Sequence, residues 1–255
     1  MLCMAMIMLC HTSIAQIFHI NSINCRLSDD NIAQLNRIAK FEADFYNDIF
    51  GTQKNDSVIV DINIYGKQKE YNVVQKDAMN TTFIDGFYSP RDDRIYLYKS
   101  DMYMNTLFHE TSHKILRNNF TNPPQWLNEG IATLLEYLQE TPGSKKIVYI
   151  PQRIYIRQVR DSIKANRKYL ENYFKYKTTD WYDQTKRPML YATAYCIVYF
   201  FINIDRDYLE PTLNLMKQGY STPMAIQKIF GSFDKFNQRF YDFYTAGAGS
   251  VSSTN

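Results

Sequence analysis

Two of the four histidines in this chain lie four residues apart in the segment L-F-H-E-T-S-H-K-I-L, which covers residues 107–116. On an α-helix, side chains at this spacing project from one face, about 6 Å apart. A helix here therefore places His109 and His113 where both rings can bind one metal ion, with Glu110 on the adjoining edge of that face. The alternative is two histidines that share a helix without a metal. Under either interpretation the segment requires a helix, which we predict to begin near Ser100 or Asp101.

A catalytic zinc site with two histidines needs a third protein ligand. The remaining histidines, His11 and His19, lie at or near a predicted N-terminal leader, so a carboxylate is the better candidate. The segment P-P-Q-W-L-N-E-G-I-A (123–132) supplies Glu129 near the start of the next predicted helix, and its two prolines end the first helix. The alternative is a solvated glutamate in a first helical turn, stabilised by the helix dipole. The apolar neighbours of Glu129, and the close packing that Gly130 indicates, favour a metal ligand.

The combination of H-E-T-S-H with W-L-N-E-G-I-A downstream resembles the gluzincin zinc metallopeptidases, and most closely the small peptidase MA-like proteins. The resemblance covers residues 86–138 and implies that Zn²⁺ is bound by His109, His113 and Glu129. It also implies that Glu110 is the general base, which takes a proton from a zinc-activated water as the water attacks a peptide carbonyl. The substrate would be a peptide or protein, and the fold would be similar to that of thermolysin.

Two departures from the zinc aminopeptidases of the same clan argue against an aminopeptidase. Only 15 residues separate His113 from Glu129, which is fewer than in those enzymes. Their upstream G-x-M-E-N signature is also missing, since the segment K-D-A-M-N (76–80) has no glutamate where the signature requires one. We therefore predict a metallopeptidase of another kind, and the sequence does not decide between internal and terminal cleavage.

Several residues around the motif are candidates for supporting roles. By the same resemblance, Tyr191 would stabilise the oxyanion, with Tyr195 one turn away as the alternative, and core packing is the other interpretation of both. Thr133 and Glu136 follow the proposed glutamate ligand at helical spacing, and either would orient a histidine ring. The strand R-I-Y-L-Y-K (94–99) would be the edge strand that pairs with an extended substrate.

Hydrophobic patterning divides the chain into a mixed first part and a helical second part, which predicts an α+β protein. The first part is an α/β subdomain over residues 26–119. It alternates helices with strands such as S-V-I-V-D-I-N-I-Y-G (57–66) and ends with the H-E-x-x-H helix. The second part, over residues 120–245, contains only predicted helices, among them one over 124–140 and one over 152–176, and carries the third zinc ligand.

The first residues are typical of a signal peptide, which we assign to residues 1–15. The apolar run over residues 2–10 is too short for an ordinary transmembrane helix, and Ser13 and Ala15 occupy the small-residue positions before a cut. Cleavage near Ala15 predicts a secreted or periplasmic protein without a stable membrane span. The alternatives are a buried N-terminal element and an uncleaved membrane tether. At the other end, residues 246–255 form a small-residue tail that is predicted to be flexible.

Composition narrows the classes of function. The net charge is +3 and no run of basic residues stands out, which argues against nucleic acid or an anionic membrane surface as a partner. Cleavage would leave Cys25 and Cys196, which can pair in an oxidising compartment only if the fold brings them within bridging distance. A second class of function stays open, namely a catalytically inactive peptide- or protein-binding module on the same scaffold. Substrate identity and oligomeric state also stay open.

Overall fold

The computed structural model of the protein describes residues 17–80, 84–203 and 206–246. The predicted signal peptide over residues 1–15, and residues 247–255 of the predicted tail, lie outside the described residues. Within them, six strands and ten α-helices surround one large hydrophobic core, with a smaller cluster beside it.

The described elements form a mixed group up to the H-E-x-x-H helix and a largely helical group after it, as the patterning predicts. The strands are β1 (Phe18–Ile23), β2 (Val60–Tyr65), β3 (Gly86–Ser89), β4 (Arg94–Tyr98), β5 (Leu138–Glu140) and β6 (Ile147–Tyr149). The α-helices are α1 (Asp29–Phe50), α2 (Gln68–Met79), α3 (Tyr103–Asn119), α4 (Gln125–Glu136), α5 (Arg153–Ala165), α6 (Tyr169–Tyr173), α7 (Arg187–Asn203), α8 (Arg206–Lys217), α9 (Thr222–Phe230) and α10 (Phe233–Thr245).

Four strands form a mixed sheet in the order β1-β2-β4-β3. β1, β2 and β4 run parallel, whereas β3 runs antiparallel to β4. Parallel neighbours need long crossover connections, and α1 and α2 provide them. The sequence patterning does not predict β1, because F-H-I-N-S-I alternates only in part. Pairing with β2, with Phe18 opposite Val60, stabilises it instead.

The edge strand beside the motif helix is β3 rather than β4. Residues 94–99 were expected at the edge of the sheet, but β4 pairs with β2 on one side and with β3 on the other, so that expectation is wrong. The hairpin turns at residues 90–93, and its first strand is the outer one. Gly86 permits β3 to approach α3 closely, because a Cβ there would lie 2.6 Å from Thr106 Cγ2 and 2.4 Å from Leu97 Cδ2.

Helix α1 packs against α3. It begins after Ser28, where the serine hydroxyl accepts a hydrogen bond from the amide of Asn31 at 3.1 Å. It ends at Gly51, whose φ of +57° is in the left-handed region that favours glycine. The hydroxyl of Tyr46 donates to the carbonyl oxygen of Ser112 at 3.0 Å, and this bond fixes α1 against the helix that carries the histidines.

Helix α4 lies between α3 and α7. Most side chains of α7 are buried around its whole circumference, so it forms the centre of the helical part. At Gly130, a Cβ would lie 2.6 Å from the carbonyl oxygen of Ala194 and 2.8 Å from Val198 Cγ2. Glycine at position 130 is therefore required for α4 and α7 to approach each other this closely. Since Glu129 is the preceding residue, the same contact sets the position of Glu129 relative to α3.

The prediction of helices alone over residues 120–245 is wrong at one place. α4 ends at Glu136, four residues before the predicted end at residue 140, and β5 and β6 form an antiparallel hairpin. The turn T-P-G-S lies between them, and the amide of Thr141 donates to the carbonyl oxygen of Lys146 at 2.8 Å. Proline and glycine favour this tight turn, which ends the helix and reverses the chain.

The single helix predicted over residues 152–176 is divided into α5 and α6. The side-chain oxygen of Asn166 accepts a hydrogen bond from the amide of Lys168 at 2.9 Å. Such a local turn competes with the helical hydrogen bonds, which explains the break.

The two cysteines within the described residues do not form a disulfide. Cys25 and Cys196 are both free thiols. Cys196 is buried in α7, and the thiol of Cys25 donates to the carbonyl oxygen of Ile64 at 3.4 Å.

No helix within the described ranges combines the length and the apolar character that crossing a bilayer requires.

Candidate metal site

Helix α3 carries both histidines on one face. It begins at Tyr103, slightly later than predicted, and its buried residues Leu107 and Ile115 pack into the core. The ring centroids of His109 and His113 lie 4.8 Å apart and the rings are nearly perpendicular, at 86°. Their side chains are only 15% and 16% exposed, so both rings are held in place while one side stays accessible.

Glu129 of α4 lies opposite the two rings. Its Oε2 is 3.5 Å from His109 Nε2 and 3.9 Å from His113 Nε2. The donor atoms of the three residues all lie within 4.8 Å of one another. Ligands bound about 2.0–2.2 Å from a tetrahedral zinc ion are separated by about 3.4 Å, so the two distances to Glu129 Oε2 are close to what one ion requires. This buried His-His-Glu group, hereafter the metal group, could hold a metal ion.

The two carboxylate oxygens of Glu129 have different environments. Oε1 accepts hydrogen bonds from Gln125 Nε2 at 3.1 Å and from Asn128 Nδ2 at 3.3 Å. Oε2 is buried and has no hydrogen-bond partner among the described residues. An unpartnered buried carboxylate oxygen is costly. A cation shared with the two Nε2 atoms would satisfy it, so the donor set fits a metal ion.

Both rings are oriented through their other nitrogen. His109 Nδ1 donates to Glu136 Oε2 at 3.2 Å, and His113 Nδ1 donates to Asn128 Oδ1 at 3.0 Å. Each Nε2 is thereby directed toward Glu129, which is the arrangement usual for metal-binding histidines. The structure thus places Glu136 where the sequence predicts a supporting residue. It does not so place Thr133, whose hydroxyl is buried without a hydrogen-bond partner among the described residues.

Charges within the metal group shift the pKa values of His109 and Glu129. Burial opposes protonation of His109, but the nearby carboxylates of Glu129 and Glu136 outweigh it and raise the pKa of His109 well above its ordinary value. Burial also opposes ionisation of Glu129, but the charges of His113 and His109 outweigh it and lower the pKa of Glu129 to about 2. Glu129 is therefore an anion at neutral pH, which is the form that binds a cation.

Glu110 lies beside the metal group but is not one of its three donors. Its Oε2 accepts a hydrogen bond from the backbone amide of Tyr88 at 2.8 Å. Tyr88 belongs to the edge strand β3, and successive residues of a strand direct their backbone groups to opposite sides. The Tyr88 amide points away from β4 and toward α3, so it fixes the Glu110 carboxylate between the sheet edge and the metal group.

Of the two candidate tyrosines, the structure brings Tyr191 to the metal group. Its hydroxyl is close enough to Glu129 to help lower the pKa of that carboxyl, and its ring packs against Trp181 with centroids 5.7 Å apart. Burial and the charge of Glu129 raise the pKa of Tyr191, so its hydroxyl stays protonated. Tyr195 instead accepts a hydrogen bond from the amide of Gln152 at 3.0 Å, at the start of α5.

A buried carboxyl group on α1 lies near His109. Glu42 is fully buried, and neither of its oxygens has a hydrogen-bond partner among the described residues. Burial raises the pKa of Glu42 well above its ordinary value, against a smaller opposing effect of His109. Sequence reasoning missed this residue, although it occupies a core position of the helical repeat, four residues after Ile38 and three before Phe45.

A cavity of about 360 Å³ opens beside the metal group. Its lining includes His113 and Asn128, together with Tyr88 of the edge strand and Arg117 one turn further along α3. A larger groove of about 1110 Å³ lies along α1 and contains no residue of the metal group. The convergence of donor atoms, rather than cavity size, therefore identifies the site.

Sequence reasoning does not identify three residues that support the metal group or Glu110. Asn128 and Gln125 precede Glu129 by one and four residues, and their polarity in an otherwise apolar first turn is the one local signal. Tyr88 has no local signal, because its role depends on how β3 packs against α3.

No protein-family model matches this chain. A search of curated proteins likewise finds no match. The residues and the geometry of the site are therefore the basis for assigning a function.

Proposed function

We propose that this protein is a zinc-dependent metallopeptidase of the gluzincin type. The observation that carries the proposal is the convergence of His109 Nε2, His113 Nε2 and the unpartnered Oε2 of Glu129. Two imidazoles and one carboxylate form the donor set of a known class of catalytic zinc sites, which keep a fourth position for water or substrate. The H-E-x-x-H and W-L-N-E-G motifs supply these same residues.

Zinc held by the metal group would acidify a bound water and polarise a peptide carbonyl. Glu110 accepts the proton of the attacking water and transfers it to the nitrogen of the leaving amine, so that the peptide C–N bond breaks. The Tyr88 amide holds Oε2 of Glu110, which leaves Oε1 to accept and release the proton. Tyr191, protonated and adjacent to Glu129, donates a hydrogen bond to the developing oxyanion.

An extended peptide is the substrate that the edge of β3 favours. The outer side of β3 has no partner among the described strands. Glu110 occupies the Tyr88 amide on that side, so an extended peptide would add by backbone hydrogen bonds to the other edge groups. Because Tyr88 of this strand also contacts Glu110, a peptide bound there would pass beside the proposed base.

Metal content is the first test. Purified protein should contain about one zinc ion per chain by elemental analysis. His113→Ala should lose it, because that variant removes one donor from the group. Full zinc retention in His113→Ala would remove His113 from the site.

Glu110→Gln separates metal binding from chemistry. Glutamine keeps the size of the side chain but cannot accept the proton, so zinc should stay bound while hydrolysis falls by roughly 10²–10⁴. The control is Glu210→Gln, an exposed glutamate of α8. The comparison uses a peptide that the wild type cleaves, found in an unbiased library.

Two outcomes would contradict the proposal. Equal cleavage by wild type and Glu110→Gln would mean that Glu110 is not the base. If zinc-loaded wild type cleaves no peptide of a broad library, that result would support the alternative function, namely a peptide- or protein-binding module on the same scaffold.

Export is a separate part of the proposal. The apolar run over residues 2–10 and the small residues at 13 and 15 support cleavage near Ala15. N-terminal sequencing of the mature protein should begin at about Gln16, and a mature chain that begins at Met1 would contradict secretion through this signal.

A further inference from the structure

The cavity beside His113 is bounded by the residues that support the metal group. Asn128 is hydrogen-bonded to His113 and Glu129, and Gln125 is hydrogen-bonded to Glu129. Both Asn128 and Gln125 line the cavity. Tyr88, whose amide holds Glu110, lines it from the side of the sheet. A group bound in this cavity would therefore lie directly beside the metal group and the proposed base.

The cavity contains an arginine without a direct acidic partner. Arg117 is exposed, and it makes no hydrogen bond or ion pair with any described residue, although it interacts at longer range with Asp93. That aspartate is already occupied, because it pairs with Lys114 and accepts a hydrogen bond from the Tyr88 hydroxyl at 2.6 Å.

The remaining lining offers no negative charge. Apart from Arg117 and His113, the described lining consists of uncharged residues, namely Tyr88, Pro90, Thr121, Asn122, Pro123, Gln125 and Asn128. An exposed guanidinium with five donors and no carboxylate on the same wall is suited to a planar anion. The amide and hydroxyl groups around it can add hydrogen bonds to the same anion.

We propose that Arg117 selects substrates that place a carboxylate in this cavity, close to the bond that is cut. The proposal rests on the proposed function, because it names the substrate class of the same site. The carboxylate has two possible sources with the same chemistry: the side chain of an acidic residue, or the free C-terminus of a short peptide.

Helix geometry limits how far the carboxylate lies from the reacting bond. Arg117 follows His113 by four residues, so their Cβ atoms are about 6 Å apart on one face of α3. An extended substrate advances by about 3.3 Å per residue. The recognised carboxylate therefore belongs to a residue within about three positions of the scissile bond.

Three matched sets of peptides test the proposal and separate the two sources. The first set carries glutamate at each of the three positions on either side of the scissile bond, with an amidated C-terminus. The second set carries glutamine at the same positions, also amidated. The third set carries glutamine with a free C-terminal carboxylate within three residues of the bond. The readouts are kcat/KM with the zinc-loaded enzyme and equilibrium binding to zinc-loaded Glu110→Gln.

Wild type should favour the first or third set over the second by roughly 10- to 100-fold, the range of a charge-assisted hydrogen bond. The favoured set identifies the source of the carboxylate. Arg117→Gln should bring this ratio close to one without loss of zinc, and Arg117→Lys should keep part of it. The control is Arg157→Gln, which removes the same charge from an exposed position on α5.

The outcomes separate this proposal from the peptidase proposal. Cleavage of all three sets with equal kcat/KM, unchanged in Arg117→Gln, overturns the role of Arg117 and leaves the peptidase intact. If no set is cleaved, the peptidase proposal fails. The equilibrium binding measurement then tests the carboxylate site independently of cleavage. A carboxylate preference that Arg117→Gln abolishes supports the cavity as a carboxylate site, whereas equal binding of the three sets to wild type overturns it.

Discussion

Gly130→Ala tests whether the contact between α4 and α7 positions Glu129. The added Cβ would lie 2.6 Å from the carbonyl oxygen of Ala194, and an ordinary contact begins at 3.4 Å. The Ala194 carbonyl oxygen belongs to the backbone, so it cannot rotate away as a side chain can. The two helices must therefore separate by several tenths of an ångström, and α4 can move only toward α3 or along its own axis.

The size of the effect follows from two opposing contributions. Overpacking in a core costs about 1–3 kcal/mol, while alanine is favoured over glycine in a helix by about 1 kcal/mol. We expect a net loss of up to about 2 kcal/mol in the free energy of unfolding, which lowers the melting temperature by up to about 8 °C for a chain of this size. Metal–ligand distances tolerate only about 0.2 Å, so zinc affinity should fall by at least about tenfold.

Thermal unfolding of the metal-free protein and competition with a chelator measure the two effects separately. Val198→Ala in the Gly130→Ala background removes the contact at 2.8 Å but leaves the one with the Ala194 carbonyl. That double variant should therefore recover only part of the stability. If Gly130→Ala melts at the wild-type temperature and binds zinc within about twofold of wild type, the helix contact does not position Glu129.

Three further predictions concern the surroundings of the metal group. Asn128→Ala and Glu136→Gln should each weaken zinc binding about 10- to 100-fold in a chelator competition, whereas Asn118→Ala, an exposed control on α3, should not. Relative to the wild type, Glu42→Gln should make the metal-free protein increasingly stable as pH rises. The pKa of Glu42 in the folded protein lies well above its ordinary value of 4.5. Above about pH 4.5 the wild type therefore loses up to about 1.4 kcal/mol of stability per pH unit through this group, and the glutamine variant does not. A difference in unfolding free energy between variant and wild type that does not change between about pH 5 and 8 would contradict this. Tyr191→Phe should lower kcat at saturating zinc by roughly 10²- to 10³-fold if the Tyr191 hydroxyl binds the oxyanion. Weaker zinc binding with unchanged kcat would mean that this hydroxyl interacts only with Glu129.

The sequence predicts the parts of the fold that depend on local pattern. The α1 cap at Ser28, the hairpin turn at residues 90–93 and the helix around His109 and His113 all follow from short-range rules, and the structure contains them. The placement of Glu129 opposite the histidines also follows, because the proline turn and Gly130 restrict how α4 packs.

The features that the sequence does not predict depend on distant partners. β1 is stabilised by pairing with β2 across more than forty residues, from Phe18 to Val60. β5 and β6 have three residues each, which is too short to show alternation. The contact of Tyr88 with Glu110 requires the position of β3 at the sheet edge, and a hairpin pattern does not indicate which of its two strands is outermost.

The short connection between α3 and α4 has a consequence for folding kinetics. All three donors lie within 21 consecutive residues, 109–129, and the entropy lost in closing a chain segment is smaller for shorter segments. A helical hairpin of this size can form before the parallel strands pair, since distant pairing is slow. A metal ion bound at that stage would stabilise the hairpin and speed the remaining steps, because metal binding contributes directly to folding free energy. The rate of refolding, and not only the final stability, should therefore rise with the concentration of free zinc.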